Sequence, residues 1–143
     1  MNRLLNVAVC IGICLVSSQA FADPECKTSG SGETACGYNC IVSGAGNVIC
    51  AERPDMECKV SGSGNMACGY NCIISGAGRV MCARRPDMEC KVSGSGNMAC
   101  GYNCKISGSG EIGCAQTSEG ICQVSGNGSV TCWDPERRHH HHH

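Results

Sequence analysis

Residues 58–72 read CKVSGSGNMACGYNC, and residues 90–104 repeat them without a change. The stretch holds one whole C-x9-C unit, Cys58 to Cys68, then a Gly-Tyr-Asn link and the first residue of the next unit, Cys72. Within the unit, Ser-Gly occupies the fourth and fifth places and Gly the seventh. Glycine admits the positive φ angles of a tight reversal, so this centre reads as the turn of a β-hairpin. Folding back there sets the third residue opposite the ninth (Val60/Met66) and the first opposite the eleventh (Cys58/Cys68).

The same unit recurs seven times and takes in every Cys after residue 22: Cys26/Cys36, Cys40/Cys50, Cys58/Cys68, Cys72/Cys82, Cys90/Cys100, Cys104/Cys114 and Cys122/Cys132. The links alternate between three residues, Gly-Tyr-Asn (37–39, 69–71, 101–103), and seven (51–57, 83–89, 115–121). The larger period is therefore 32 residues: 26–57, 58–89 and 90–121, with 122–132 beginning a fourth copy. Self-similarity at such a period marks a tandem array. The fold-back symmetry holds in the other units. Thr28/Thr34, Val42/Val48, Ile74/Val80, Val92/Met98, Ile106/Ile112 and Val124/Val130 are all β-branched or Met, the types that suit paired strands.

Period-two alternation places the first, third, ninth and eleventh residues on one face, which reads as an inner face of two Cys and two apolar side chains. The second and tenth places face the other way. Lys27/Ala35, Lys59/Ala67 and Lys91/Ala99 suit water, whereas Ile41/Ile49 and Ile73/Met81 suit burial against a neighbour. Lys105/Gly113 and Gln123/Thr131 read as the polar end cap that an array requires. The expected fold is all-β, a small disulfide-rich repeat array of hairpins with the two Cys of each unit joined. A disulfide-bonded β-solenoid, with coils of 14 and 18 residues, is the alternative. Bridges between neighbouring units are a rival pairing that would strand Cys26 and Cys132.

Composition leads to the same class. The chain has 143 residues, 16 Cys, 20 Gly, one Phe and one Trp, and all three Leu and the Phe lie before residue 22. The 121 residues after residue 22 carry 14 Cys and 19 Gly with no Leu and no Phe, so an ordinary enzyme core is not expected. Cysteine at this density marks a disulfide scaffold of an oxidising compartment.

The domain reading begins with a signal peptide over residues 1–22. Met1-Asn2-Arg3 is basic, Leu4 to Val16 is apolar apart from Asn6 and Gly12, and Ala20-Phe21-Ala22 fits the cleavage rule. The apolar run is too short for the roughly 20 residues that span a bilayer. Residues 23–25 then form the mature N-terminus, 26–135 the Cys-rich array and 136–143 a basic, His-rich tail. The terminal position of His139–His143 favours a purification tag over a native tail. The expected location is secreted, periplasmic or cell-surface, with no membrane contact after cleavage.

Chemistry is sparse. Ten Lys and Arg against twelve Asp and Glu after residue 22, with no basic stripe, argue against nucleic acid. The three C-x3-C pairs lack the histidines or matched second pair of a zinc site, so no metal and no cofactor is expected. Without a His before the tail, no Ser-His or Cys-His couple exists, and no catalytic residue is assigned. Asp55, Glu57, Asp87 and Glu89 read as solvated surface charge. Repetition supplies the one candidate binding face: Tyr38, Tyr70 and Tyr102 at one address in three copies, with Arg53/Arg85 beside Asp55/Asp87 in two. The competing reading packs each Tyr over its own bridge. Trp133 reads as the cover of the array's end, and Asn127-Gly128-Ser129 matches a glycosylation acceptor.

Residues 99–135, through ACGYNC, the C-A-Q-T-x-x-G-x-C link and the closing TCWDP, resemble a module of uncharacterised exported bacterial Cys-rich repeat proteins. The upstream copies depart from it by using R-P-D-M-E in the link. The resemblance implies a bacterial envelope or secreted setting and brings no activity. Three functional classes follow as expectations. The first is a non-enzymatic structural or adhesive scaffold with an unidentified protein or surface partner, or with self-assembly through hairpin edges. The others are a thiol-based metal or redox protein and a secreted toxin or inhibitor.

Overall fold

The computed structural model describes residues 23–136, so residues 1–22, read above as a signal peptide, and the tail from 137 lie outside the described residues. Among the described residues eleven strands and no helix follow in order: β1 (Glu25–Thr28), β2 (Thr34–Val42), β3 (Val48–Ala51), β4 (Glu57–Val60), β5 (Met66–Ile74), β6 (Val80–Ala83), β7 (Glu89–Val92), β8 (Met98–Ile106), β9 (Ile112–Ala115), β10 (Ile121–Val124) and β11 (Val130–Trp133). Each C-x9-C pair is a disulfide. The bridges are Cys26–Cys36, Cys40–Cys50, Cys58–Cys68, Cys72–Cys82, Cys90–Cys100, Cys104–Cys114 and Cys122–Cys132, with Cα–Cα distances from 3.9 to 4.1 Å. The rival pairing between neighbouring units does not occur. Registers such as Cys58↔Cys68, Val60↔Met66, Cys90↔Cys100 and Cys122↔Cys132 are those the fold-back symmetry requires. Pairing stays within each hairpin, which makes the molecule a hairpin array and not a solenoid.

Each turn is a three-residue loop. In hairpin 1, Gly32 N–H donates to Ser29 C=O at 3.0 Å and Ser29 N–H to Glu33 C=O at 2.8 Å, and the pattern repeats in the other six. Only the seventh-place glycine has a positive φ (97° at Gly32), the left-handed residue of a type I turn with a G1 bulge. The fifth-place glycines do not, so the expectation that both supply positive φ is half right. The fourth-place serines of the first six hairpins are buried, and their Oγ atoms accept the N–H four residues on, as Ser43 does from Asn47 at 3.1 Å. Counting back from the bonded 29/33 pair, alternation puts Cys26/Cys36 at a non-hydrogen-bonded site. There opposed side chains approach most closely.

The Gly-Tyr-Asn segment is not a free link. It lies inside the nine-residue strands β2, β5 and β8, whose first halves pair with the preceding strand and second halves with the following one. Straight, β2 would hold its ends about 27 Å apart. Yet Ser31 Oγ in the turn at one end donates to Gly46 C=O in the turn at the other, at 3.1 Å. The strand therefore doubles back at a register shift between Tyr38 and Ile41, where Asn39 takes φ 52°. All the turns consequently sit along one side of the array and all the links along the other.

Stacking has a direction. A Cβ on Gly37, just after hairpin 1, would lie 2.7 Å from Cys50 Cβ of hairpin 2, and one on Gly113 of hairpin 6 would lie 3.0 Å from Cys132 Sγ of hairpin 7. The second-and-tenth face of each hairpin thus meets the disulfide face of the next. This corrects the inner and outer faces read from alternation. Hairpins stack face to back instead of closing round a common interior, so Lys59 and Lys91 are half-buried, while Val42, Val60, Ile74 and Ile106 are each 36–40 % exposed. Gly113 is covered by Val130, so hairpin 6 is no end cap; Gln123 and Thr131 of hairpin 7 are exposed. Trp133 is 61 % exposed and does not cover the end.

The close approach gives a paired prediction. Gly69→Ala puts a methyl 2.6 Å from Cys82 Cβ and 2.8 Å from Ala83 O. It should lower stability by about 1–3 kcal/mol, the usual cost of overpacking. Gly62→Ala, in open space at an ordinary φ, should be neutral or stabilising by about 0.4–1 kcal/mol. Denaturant unfolding with the bridges intact measures both.

Candidate functional site

The residues singled out by repetition converge on the link side, and most are spent on holding the array together. In Gly-Tyr-Asn each residue has a separate task. The glycine makes room for the next hairpin's second Cys. The asparagine takes the left-handed conformation, which Asn tolerates better than other residues with side chains, and clamps the long link that follows. Asn39 Nδ2 donates to the carbonyls of Pro54 and Met56 at 3.2 and 2.6 Å, and Asn71 to those of Pro86 and Met88. Asn103 does the same to Ser118 and Gly120, although that link has a different sequence. Because the acceptors are backbone carbonyls, the clamp itself does not depend on the link's side chains.

The tyrosine reaches back. Tyr70 Oη donates to Asp55 Oδ1 at 2.9 Å and Tyr102 Oη to Asp87 Oδ1 at 3.0 Å, each crossing to the preceding link. These two tyrosines are 7 and 9 % exposed. Burial first, then the hydrogen bond to Asp55 and the charge of that carboxylate, hold the Tyr70 hydroxyl above the ordinary range, with the Arg53 guanidinium opposing. Tyr102 is held the same way by burial and Asp87 against Arg85. Tyr38 is half-buried, and no bond joins it to Asp23, its counterpart fifteen residues earlier, among the described residues. Tyr70 and Tyr102 thus lie inside the stack instead of lining an open face.

The link carboxylates are likewise engaged: Asp55, Glu57 and Asp87 are exposed, as surface charge should be, and Glu89 is half-buried, but each also accepts a hydrogen bond from the next repeat. Glu57 Oε2 accepts Cys72 N–H at 2.9 Å and Glu89 Oε2 accepts Cys104 N–H at 2.8 Å. Glu25 does so for Cys40 at 3.3 Å. These N–H groups follow the left-handed Asn, where the strand bends and its ladder is interrupted, so a side chain supplies the acceptor. The third link has no Asp at the address of Asp55 and Asp87. There Asp134, after the last bridge, accepts Gln116 and Thr117 N–H at 3.0 and 2.8 Å and Thr117 Oγ1–H at 2.9 Å. Its carboxyl is lowered below the ordinary range chiefly by the Gln116 N–H, with both Thr117 donors adding to this against the cost of desolvation. The sequence reading missed this role of Asp134, although the absent Asp in the third link was its signal.

The arginines remain. Arg53, Arg84 and Arg85 are exposed, and the sole ion pair among the described residues is Lys91–Glu89 at 3.8 Å. A cleft of about 890 Å³ opens between the second and third links, lined by Arg84, Arg85, Tyr102, Thr117, Ser118 and Glu119 among others. All fourteen cysteines after residue 22 are paired, from Cys26–Cys36 through Cys90–Cys100 to Cys122–Cys132, so none of them is a free thiolate in this structure. No protein-family model, curated protein or solved structure matches the chain.

Two pH effects follow. Tyr70 and Tyr102 are bound as protonated hydroxyls, so their contribution holds below the free tyrosine value of about 10 and is lost as pH rises through the raised folded values. Phenolate absorbance should show two tyrosines ionising late, and Asp55→Asn with Asp87→Asn should bring them earlier. For Asp134 the sign is opposite: its contribution is present above the ordinary aspartate value and lost as pH falls through the lowered folded one. Amide protection at Thr117 should therefore drop in acid, whereas in Asp134→Ala it should be low at every pH.

Proposed function

We propose that this chain is an exported, non-enzymatic scaffold with a structural or adhesive role, acting through the polar side chains its links leave free. One observation carries the reading. The repeated Gly, Tyr, Asn, Asp, Glu and Ser side chains or positions hold hairpin to hairpin, and no buried side-chain polar atom lacks a partner among the described residues. Among the charged side chains left exposed are three guanidinium groups on the link side, Arg53, Arg84 and Arg85, none with an ion-pair partner among the described residues. Seven bridges suit an oxidising compartment, and no helix among the described residues is long and apolar enough to cross a membrane. The resemblance of residues 99–135 to exported bacterial repeat proteins supports the same setting. Arginine forks favour anionic, oxygen-rich partners, and the differing links (Glu52-Arg53 against Arg84-Arg85) make the edge uneven along its length.

The test compares the wild type with the Arg53→Ser, Arg84→Ser, Arg85→Ser triple variant, each fluorescently labelled and incubated with bacterial envelope fractions at low and high salt. Retention that falls at least tenfold in the variant, and in salt, at an unchanged melting temperature supports the edge as the adhesive surface. Equal retention of the two proteins rejects it.

A further inference from the structure

The two ends of the stack are open and unlike. Behind hairpin 1 none of the described residues covers the disulfide face, and Cys26, Thr28, Thr34 and Cys36 are all exposed. That end is polar, with the Thr28 and Thr34 hydroxyls 2.8 Å apart and hydrogen-bonded to each other. Beyond hairpin 7 the opposite kind of face is open. Ile121, Gln123, Thr131 and Trp133 lie on it, and Ile121 pairs directly across the hairpin with Trp133. Their exposures, 62 and 61 %, are the highest of the large apolar residues described.

These two residues break the rule of their addresses. Before the first Cys, the other odd-numbered hairpins carry Glu25, Glu57 and Glu89; after the second Cys they carry Gly37, Gly69 and Gly101. The glycines are there because the next hairpin is close: even a Cβ on Gly101 would lie 2.6 Å from Cys114 Cβ. An indole at that address forbids another hairpin in the array's own register. Head-to-tail extension by a second molecule is blocked for the same reason, and the hydroxyl-bearing face of hairpin 1 offers no apolar match for Trp133 and Ile121.

We propose that the Ile121–Trp133 face pairs with the same face of a second copy of this chain, giving a tail-to-tail dimer about a two-fold axis. The contact sets the second-and-tenth face of one molecule against the same face of another, so that Ile121 and Trp133, uncovered within the chain, are covered by their own counterparts. The face carries no charged side chain, so two copies meet without repulsion. An isologous contact uses up the face on both partners and closes at two. The proposal is independent of what the arginine edge binds. The face is one hairpin wide, below the roughly 800 Å² per partner of a standard interface, so pairing shows at high protein concentration.

Trp133 is the only tryptophan, and its emission therefore reports on this face alone. Over a series from about 1 µM to about 1 mM, sedimentation should show the mass doubling and no further, with the emission shifting to the blue in step. Trp133→Gly and Ile121→Glu, which restore the residues of the other odd hairpins, should each stay monomeric by sedimentation while retaining all seven bridges by mass. A monomer with unshifted emission throughout the series overturns the proposal. So does a blue emission independent of concentration, which assigns the cover to the chain's own tail, or a continuing series of larger species. Dimers persisting in both variants overturn it equally.

Discussion

A bond between two sulfur atoms at a non-hydrogen-bonded site of a two-stranded ribbon is the constraint on which this molecule rests. A lone hairpin is at best marginal in water. Here each is closed into an 11-residue loop, worth about 2.8 kcal/mol in the chain-entropy model. The bridge does a second job as well: its Cβ and Sγ atoms are the surface against which the preceding hairpin packs. Gly37, Gly69 and Gly101 exist to let that contact happen. Sulfur serves both as the staple and as the filling, and Cys40, Cys72 and Cys104 are among the few side chains below a tenth exposed.

With so little apolar mass, the hairpins are held in order by polar bonds that cross between links. Tyrosine reaches to the link before it, asparagine to the link after it, and glutamate to the strand that doubles back. These bonds interlock, so the middle repeat, 58–89, is fixed from both sides. The turns add a second seam: Ser31, Ser63 and Ser109 each donate to a glycine carbonyl of the following turn. The array thereby gains rigidity along both edges without a conventional core.

The pairing of cysteines, the position of the turns and the cross-strand register were legible from the sequence because they depend on distances within eleven residues. What lay beyond one hairpin was not. Alternation says that Lys59 and Val60 point to opposite faces, but not that both faces meet a neighbour, since that depends on the chain reversing at Asn71. A glycine required by a Cys Cβ from the next hairpin looks in sequence like any other glycine. Tyr70 and Tyr102 looked like a surface ladder because repetition marks both a binding face and a structural seam. Only burial and the bonds to Asp55 and Asp87 separate the two.

Every bridge joins residues ten apart, and this has a consequence for synthesis. A chain entering an oxidant from its N-terminal end presents Cys26 and Cys36 before Cys40 has appeared, and that order then repeats down the polypeptide to Cys122 and Cys132. Where each bridge closes before the next thiols emerge, only one couple is unpaired at a time, and the wrong pairings open to fourteen thiols are avoided. Refolding from the fully reduced chain has no such queue. The native connectivity is therefore easiest to reach when sulfur chemistry keeps pace with the emerging backbone.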